Sequence, residues 1–515
     1  MIKQVNDAPH ATRVTEDGLR AGRQRLEEIL SECTAPESKS RGRLPKFEII
    51  RNELERAPGG PLIVRGSDKN LGLVVCRLDW VLEQGNALLQ DTDTYVEVMD
   101  CGALSTLMQD SKQFVTENVW HNYGTPTQKL QPVYKPLTKQ ECDFITEGVE
   151  FNENLLRFNA IPKIHKTPCR LRPIVPCHSW YITNVAKVVQ QRLSPLMDRF
   201  PWIIHSTKAM TTTLSKVAVP VPRLPARYGR PQRLYICSGD VTAMYTNISI
   251  LAVVQALETF IRDEVERELI INLVNLVLDS SFFQHQHRVF KQIRGLTMGA
   301  ACSPTLANLV GALYEFSGPA LQVRNDPNVL WYRLYLDDIS IGVMASSKVE
   351  AEARIHDVTL GPGLQLTWDI KEEGEGPSPF LDLDIYVLPE SPRVDFKLFR
   401  KPMNHFLRVS WDSANPYAVK RAGFLGVLTR MATCSSTYEN YQAATTEYRE
   451  ILLARGYPLG VLHSWVHTEM NKRWATPLSL TAASDPPTVL ESRYNPAWEH
   501  GKKSTIHQAI VDSIC

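Results

Sequence analysis

The segment Val329-Leu-Trp-Tyr-Arg-Leu-Tyr-Leu-Asp-Asp-Ile-Ser-Ile-Gly-Val343 reads as two strands joined by a tight turn. Leu330, Tyr332 and Leu334 alternate before the turn, and Ile339, Ile341 and Val343 alternate after it, the period of a strand with a buried face. The tip carries Asp337 and Asp338. Adjacent carboxylates between buried strands repel, which costs stability unless a cation neutralises them.

Two other segments bear on that tip. In Leu234-Tyr-Ile-Cys-Ser-Gly-Asp-Val-Thr-Ala-Met-Tyr245 an apolar strand (Arg233–Cys237) runs towards Asp240, with an aromatic residue five positions later. Alone, an aspartate there is usually a turn cap. In Arg294-Gly-Leu-Thr-Met-Gly-Ala-Ala-Cys-Ser-Pro-Thr-Leu-Ala-Asn-Leu309, Gly295 and Gly299 let a backbone come close to a flat ligand. Ser303 then Pro304 read as an N-cap followed by proline at the first helical position. Leu306, Leu309, Val310 and Leu313 give that helix a buried face.

The chain has 515 residues and a net charge of +1, which excludes a protein that is basic overall. By segment the charge is uneven. Residues 157–239 hold 14 Lys/Arg and one acid, Asp198, while the rest of the chain sums to −12. A localised phosphate-binding surface needs such asymmetry. At 43% hydrophobic and 22% charged residues, the composition is that of a folded protein of roughly three subdomains. The polar N-terminus lacks a secretory signal and no run approaches the length of a membrane span. Ten scattered cysteines without a CxxC pair read as free thiols in a reducing, intracellular setting, and Cys169, Cys177 and His178 fit no zinc spacing.

Helical spacing is expected over 15–32 and 41–57, followed by a strand at Pro61–Arg65 and a turn from Ser67 into a strand ending at Cys76. Arg157-Phe-Asn-Ala-Ile-Pro-Lys-Ile-His-Lys166 and Leu171-Arg-Pro-Ile-Val175 read as two facing strands, and Val217 to Arg233 as a Pro/Arg-rich loop.

In order and spacing, Asp240, the glycine turn with its helix, and Tyr335-Leu-Asp-Asp338 resemble the palm of a reverse transcriptase. The Ile-Pro-Lys of 161–163 and the Leu-Arg-Pro-Ile-Val of 171–175 resemble its fingers strands. More narrowly, the chain resembles the reverse transcriptases of Penelope-like elements, a lineage near telomerase. That likeness rests on Arg157-Phe158 with Pro162-Lys-Ile-His-Lys166, Asp240-Val-Thr-Ala-Met-Tyr-Thr-Asn-Ile248, Pro379-Phe-Leu-Asp-Leu-Asp-Ile385 and Phe399-Arg-Lys-Pro402. Ser67-Asp-Lys69 and Asp91-Thr-Asp-Thr-Tyr95 are similar to that family's N-terminal region. The resemblance covers roughly residues 60–470.

It implies an α+β right-hand polymerase: an N-terminal helical segment (1–60), a mixed N-terminal extension (61–155), fingers (156–233), a palm with an antiparallel sheet (234–392), a helical thumb (393–475) and a tail (476–515). It implies RNA-directed DNA synthesis, with an RNA template, a DNA primer terminus and dNTPs as partners, no membrane, and a nuclear location if the source is eukaryotic. Two Mg²⁺ ions, with Mn²⁺ as a substitute, would be held by Asp240, Asp337, Asp338 and the carbonyl of Val241. Tyr245 would act as the gate against a ribose 2′-OH. Lys163, Arg172 and Gly299 would lie at the nucleotide, with Lys163 a compact charge and Arg172 a bidentate fork. Lys397, Arg400, Lys401, Lys420 and Arg421 would hold the primer–template backbone. Lys371 is a poor candidate for protonating pyrophosphate.

The sequence departs from the family in two places. Met298-Gly-Ala-Ala-Cys-Ser-Pro304 lacks the Met-Gly-Ser-Pro usual there, which touches the template grip and leaves the metal ligands intact. Residues after 470 match no GIY-YIG nuclease, so target cleavage is expected from a partner or from existing DNA ends. A non-catalytic RNA-binding descendant is the second class of function, and intact carboxylates speak against it.

Overall fold

The computed structural model describes residues 60–68, 73–98, 137–151, 155–164, 168–177, 180–220, 231–389, 391–401 and 408–475, with short stretches at 2–3, 55–56, 106, 109, 112–113 and 489–490. The helices expected over 15–32 and 41–57 (apart from 55–56), His165 and Lys166, His178, residues 221–230 of the expected loop, and the tail apart from 489–490 lie outside the described residues. The chain forms two units: Pro58–His405 with Cys434–Thr437, and Phe406–Thr433 and Tyr438–Cys515 with Met1–Ala57.

In the larger unit, β1 (Leu62–Gly66) and β2 (Leu73–Arg77) form an antiparallel hairpin, followed by α1 (Leu78–Leu89), β3 (Tyr95–Val98) and α2 (Lys139–Phe151). β4 (Leu156–Arg157) leads into a second hairpin, β5 (Asn159–Lys163) and β6 (Arg170–Ile174), and then into α3 (Thr183–Leu193) and α4 (Thr207–Leu214). Pro162 and Pro173 fall in this two-stranded ribbon, where a missing backbone donor is tolerated because each strand is an edge.

Then come β7 (Arg233–Val241), α5 (Met244–Asn247), α6 (Ile250–Phe260), α7 (Glu264–Asp279), β8 (Phe282–His285), β9 (Arg288–Gln292), α8 (Ser303–Ser317), α9 (Pro319–Asn325), β10 (Val329–Tyr335), β11 (Asp338–Ala345), α10 (Lys348–Ile355) and β12 (Leu366–Glu372). Last are β13 (Ser378–Phe380), β14 (Leu383–Tyr386) and β15 (Asp395–Leu398).

The central sheet has the order β10-β11-β7-β12, antiparallel throughout. Alternate residues of β7 enter two different cores. Tyr235, Cys237 and Val241 join Ile339, Ile341 and Val343 against Val253, Leu257, Leu306 and Val310 of α6 and α8. Leu234 and Ile236 join Trp331 and Met344 against Phe380, Leu383 and Ile385 of the small sheet β13-β14-β15, and against Met210 and Leu214 of α4. The sheet is therefore covered on both faces, where simple alternation over 330–343 predicts a single buried side. Trp331 lies flat on Gly342, where a Cβ would fall 2.1 Å from the indole ring, so the sheet needs glycine there.

Three boundaries differ from the sequence expectations. β7 extends to Val241 because Ser238 and Gly239, which break the apolar pattern, have partners: the Ser238 hydroxyl meets that of Ser378 at 2.8 Å, and the Trp368 ring covers Gly239. Helix α8 begins with Cys302 at the cap; Ser303 Oγ instead donates to the Thr297 carbonyl at 2.9 Å, pinning the preceding turn. Phe396-Lys-Leu-Phe-Arg-Lys401, whose alternating aromatic and basic residues read as one strand, is a strand only through Leu398.

A further sheet, β3-β9-β8-β4, joins the N-terminal extension to the segment after α7, with β4 parallel to β8. Part of the basic block is engaged by the protein's own groups. Arg192 pairs with Glu141 at 2.7 Å and Glu266 at 2.6 Å, Arg199 donates to the Phe260 carbonyl at 2.7 Å, and Arg233 pairs with Glu372. Those cations tie helices and strands together, so the phosphate-facing surface is smaller than the charge count implies.

The second unit contains α11 (Tyr417–Thr433), α12 (Tyr438–Ala454) and α13 (Leu459–Ala475). Their shared core is aromatic: Phe424 stacks on Tyr448 at 6.0 Å and packs on Trp465 at 5.2 Å. Among the described residues no helix is long and apolar enough to cross a membrane.

Candidate active site

Asp240 is the exposed penultimate residue of β7 and Asp338 opens β11, and the two are direct Cα partners. Directly opposed residues of an antiparallel pair share a face, with Cα atoms about 4.5–5.5 Å apart. That face is the one remote from α6 and α8, since Asp240 follows the parity of Leu234 and Ile236. Asp337 occupies the two-residue turn between Tyr335 and Asp338, and its carbonyl accepts from the Val241 N–H at 3.1 Å. The hairpin tip is thus laced to the end of β7. Leu336 at φ 54° and Ala243 at φ 51° both hold left-handed backbone beside these carboxylates. Side chains other than Gly, Asn and Asp rarely adopt that region, and such strain gathers at functional sites.

The candidate donors are all oxygens: the carboxylates of Asp240, Asp337 and Asp338 and the Val241 carbonyl. That set suits a hard divalent cation. Among the described residues no three His, Cys, Asp or Glu side chains already converge as a finished metal cluster. Strand register sets Asp240 against Asp338, and the turn carries Asp337 beside them.

Tyr245 lies on the short helix α5 immediately after this strand end. Burial pushes its phenol up to about 12, and the negative charge of Asp337 and the neighbouring Tyr335 add to the shift. The ring is therefore neutral, half-buried and within the field of the hairpin acid. The glycine turn reaches it from the other side: the Leu296 N–H donates to the Tyr245 carbonyl at 2.7 Å. At Gly295 (φ +77°) a Cβ would sit 2.4 Å from that carbonyl, so only glycine fits. Gly299 (φ +129°) makes the same kind of approach to the strand end after β6, where a Cβ would lie 2.2 Å from the Val175 carbonyl. The Val175 N–H completes the joint by donating to the Met298 carbonyl at 3.2 Å. One turn therefore connects Tyr245 to the β5–β6 hairpin.

On that hairpin Ile161 faces Arg172 and Lys163 faces Arg170, so Lys163, Arg170 and Arg172 share one face of the ribbon. The opposite face buries Ala160 and Leu171. Arg172 Nε lies 3.2 Å from Asp68 Oδ1.

The residues expected to grip the primer–template are more dispersed. Lys397 is exposed on β15 directly across from Asp384, whose carboxyl burial raises against the opposing pull of Lys397 and Lys371. Arg400 and Lys401 are half-buried beyond the strand end. In the separate helical unit Lys420 Nζ donates to the Ser413 carbonyl at 2.9 Å, over the Trp411 ring, and Arg421 pairs with Glu469 at 2.8 Å. Both of these cations already serve the unit's own packing. Lys371 Nζ donates to the Pro377 carbonyl at 2.6 Å, a structural tie. Sequence reading missed Glu315, buried beneath the sheet on α8, where Tyr332 OH and Trp202 Nε1 (2.6 Å) donate to its carboxylate. A carboxylate in an otherwise apolar helical repeat was the available signal.

No protein-family model and no curated protein matches the sequence. Solved structures do. Telomerase from Candida albicans, in complex with a TWJ fragment of telomeric RNA, matches with a TM-score of 0.50 and 10% identity over 91% of this chain and 72% of that one. Telomerase from Candida tropicalis matches with a TM-score of 0.42 and 13% identity, covering 80% of this chain and 66% of that one. The RNA-dependent RNA polymerase of a human picorbirnavirus matches with a TM-score of 0.39 and 9% identity over 92% and 90%. The last two are too loose to carry an argument. The first shows the fold: α+β, right-handed in the polymerase sense, with fingers, an antiparallel palm sheet and a helical thumb.

Proposed function

We propose that this chain is an RNA-directed DNA polymerase of the Penelope-like lineage, derived from a retroelement, which extends a primer 3′ end with dNTPs on an RNA template. The observation that carries the proposal is the shared face of Asp240 and Asp338, with Asp337 bound through its carbonyl to Val241. Phosphoryl transfer is mostly positioning and charge stabilisation, and this sheet end supplies acids on fixed strands. Asp240, Asp337, Asp338 and the Val241 carbonyl would hold two Mg²⁺, which when bound activate the 3′-hydroxyl and stabilise the departing pyrophosphate.

The remaining parts have assigned roles in this reading. Tyr245 lies under the sugar, where its ring leaves no room for a 2′-OH. Gly299 lies at the nucleotide in a turn held against the Val175 carbonyl, and Lys163 and Arg172 take the triphosphate from one face of the ribbon. Lys397, Arg400 and Lys401 follow the primer strand. Lys420 and Arg421 contribute to the duplex only in so far as they exchange their present partners for phosphates.

Template and nucleotide choice test the proposal together. With a DNA primer on RNA and on DNA templates, in Mg²⁺, dNTP addition on RNA is expected to lead, with rNTPs poorly used. Incorporation of rNTPs as readily as dNTPs would move the chain to the RNA-making polymerases, and nucleic-acid binding without any addition would make it a non-catalytic descendant.

A further inference from the structure

The β1–β2 hairpin has no role in the reading above, yet it reaches the proposed nucleotide site. Asp68, in the turn after β1, is 11% exposed, and its Oδ1 lies 3.2 Å from Nε of Arg172, which is 33% exposed. The residues are 104 positions apart and belong to different hairpins. A second contact fixes the two hairpins to each other: Arg65 Nη1 donates to Asn159 Oδ1 at 2.7 Å.

The way Asp68 holds Arg172 matters. An arginine whose two terminal nitrogens grip a carboxylate has used the edge that matches a phosphate. Here the contact is made at Nε, on the side of the guanidinium, and it is a charge contact without an aligned hydrogen bond. The shortest contact of the pair is the one at Nε, and no hydrogen bond engages the Nη groups among the described residues. Oδ2 of Asp68 is also buried without a hydrogen-bond partner among them. A buried carboxylate is costly without a cation beside it, so Asp68 draws Arg172 to one side of the ribbon.

We propose that Asp68 is a positioning residue for the incoming nucleotide. It acts through Arg172, holding the guanidinium by Nε so that the Nη edge is presented to the triphosphate, and the β1–β2 hairpin thereby belongs to the nucleotide-binding apparatus. This rests on the reading of Arg172 as a triphosphate ligand. Asp68 itself touches no reacting atom; losing it lets the guanidinium swing among its rotamers and weakens nucleotide binding rather than chemistry.

The test is dNTP KM and kcat in primer extension by the full chain carrying Asp68→Asn, Arg172→Ala or both, with primer–template affinity and Tm measured alongside. Asp68→Asn is expected to raise dNTP KM about fivefold, with a much smaller change in kcat, primer–template affinity or Tm. Asp68→Glu, which keeps the charge, is expected to recover most of the loss. In the Arg172→Ala background Asp68→Asn is expected to add nothing, because the group it orients is gone. Asp68→Ser carries the same expectation should the amide not be tolerated. An equal rise of KM in the presence and absence of Arg172, no rise, or a fall of KM (a carboxylate competing with the triphosphate) would each overturn the proposal. If Arg172→Ala leaves KM unchanged, the triphosphate reading of Arg172 fails and takes this inference with it. A raised KM for Arg172→Ala with none for Asp68→Asn defeats the positioning role alone.

Discussion

Asp240 and Asp338 face each other across adjacent antiparallel strands, on the side of the sheet away from α6 and α8. Like charges directly opposed in a sheet destabilise it by roughly 0.2–1 kcal/mol. A divalent cation held between the two acids would relieve that repulsion. In EDTA, Asp338→Asn is expected to melt slightly above wild type. Mg²⁺ is expected to raise the wild-type Tm by more than that of the variant. Equal Mg²⁺ responses in the two proteins would show that the ion is not bound between these acids.

The Tyr245 backbone is pinned through its own carbonyl to Leu296, and the ring is half-buried beside the hairpin acids. Tyr245→Ala opens the space that the ring occupies. Discrimination against rNTPs is expected to fall by about tenfold or more, with dNTP use less affected. Competition assays with matched dNTP and rNTP pairs measure this. Unchanged discrimination would remove Tyr245 from the sugar's path.

Gly299 and Gly376 provide a matched pair. Both have positive φ, at +129° and +130°, but a Cβ at Gly299 meets the Val175 carbonyl at 2.2 Å whereas one at Gly376 meets nothing within 4 Å. Gly376→Ala is expected to cost about 1–3 kcal/mol from backbone conformation alone, and Gly299→Ala at least about 1 kcal/mol more. Thermal melts of the two variants compare them. Equal losses would mean that the turn does not depend on its contact with the strand end.

Glu315 makes stability depend on pH. Burial raises its carboxyl to about 7 from an ordinary 4.5, although hydrogen bonds from Tyr332 and Trp202 and the charge of Arg324 oppose the rise. The folded chain therefore keeps a proton that the unfolded chain has already released between those values. The contribution of this group is fullest below about pH 4.5, declines as pH rises through 7, and is level above, a swing of about 3 kcal/mol. Glu315→Gln, whose amide can face the Tyr332 oxygen, removes the titration. The Tm of the variant relative to wild type is expected to be higher at pH 8 than at pH 5. A difference independent of pH would place the proton elsewhere.

These relationships were unequally legible in the sequence. The 329–343 hairpin is plain because its apolar period and its acidic tip agree. The continuation of β7 through Ser238 and Gly239 is hidden, since its support comes from Ser378 and Trp368, more than a hundred residues away. The Asp68–Arg172 pair joins two separate hairpins, and no local pattern announces it. The basic block misleads in part: Arg192 and Arg199 look like cations open to phosphate, yet both bind acceptors within the protein, and charge counts carry no such information.

The central claim is that the acids at this sheet end perform phosphoryl transfer, and single-turnover extension of a primer on an RNA template by wild type and Asp337→Asn tests it most directly. The turn keeps its carbonyl bond to Val241 in that variant, so the fold and primer–template binding are expected to persist while dNTP addition falls by at least about a thousandfold. Addition at the wild-type rate by the variant would contradict the assignment.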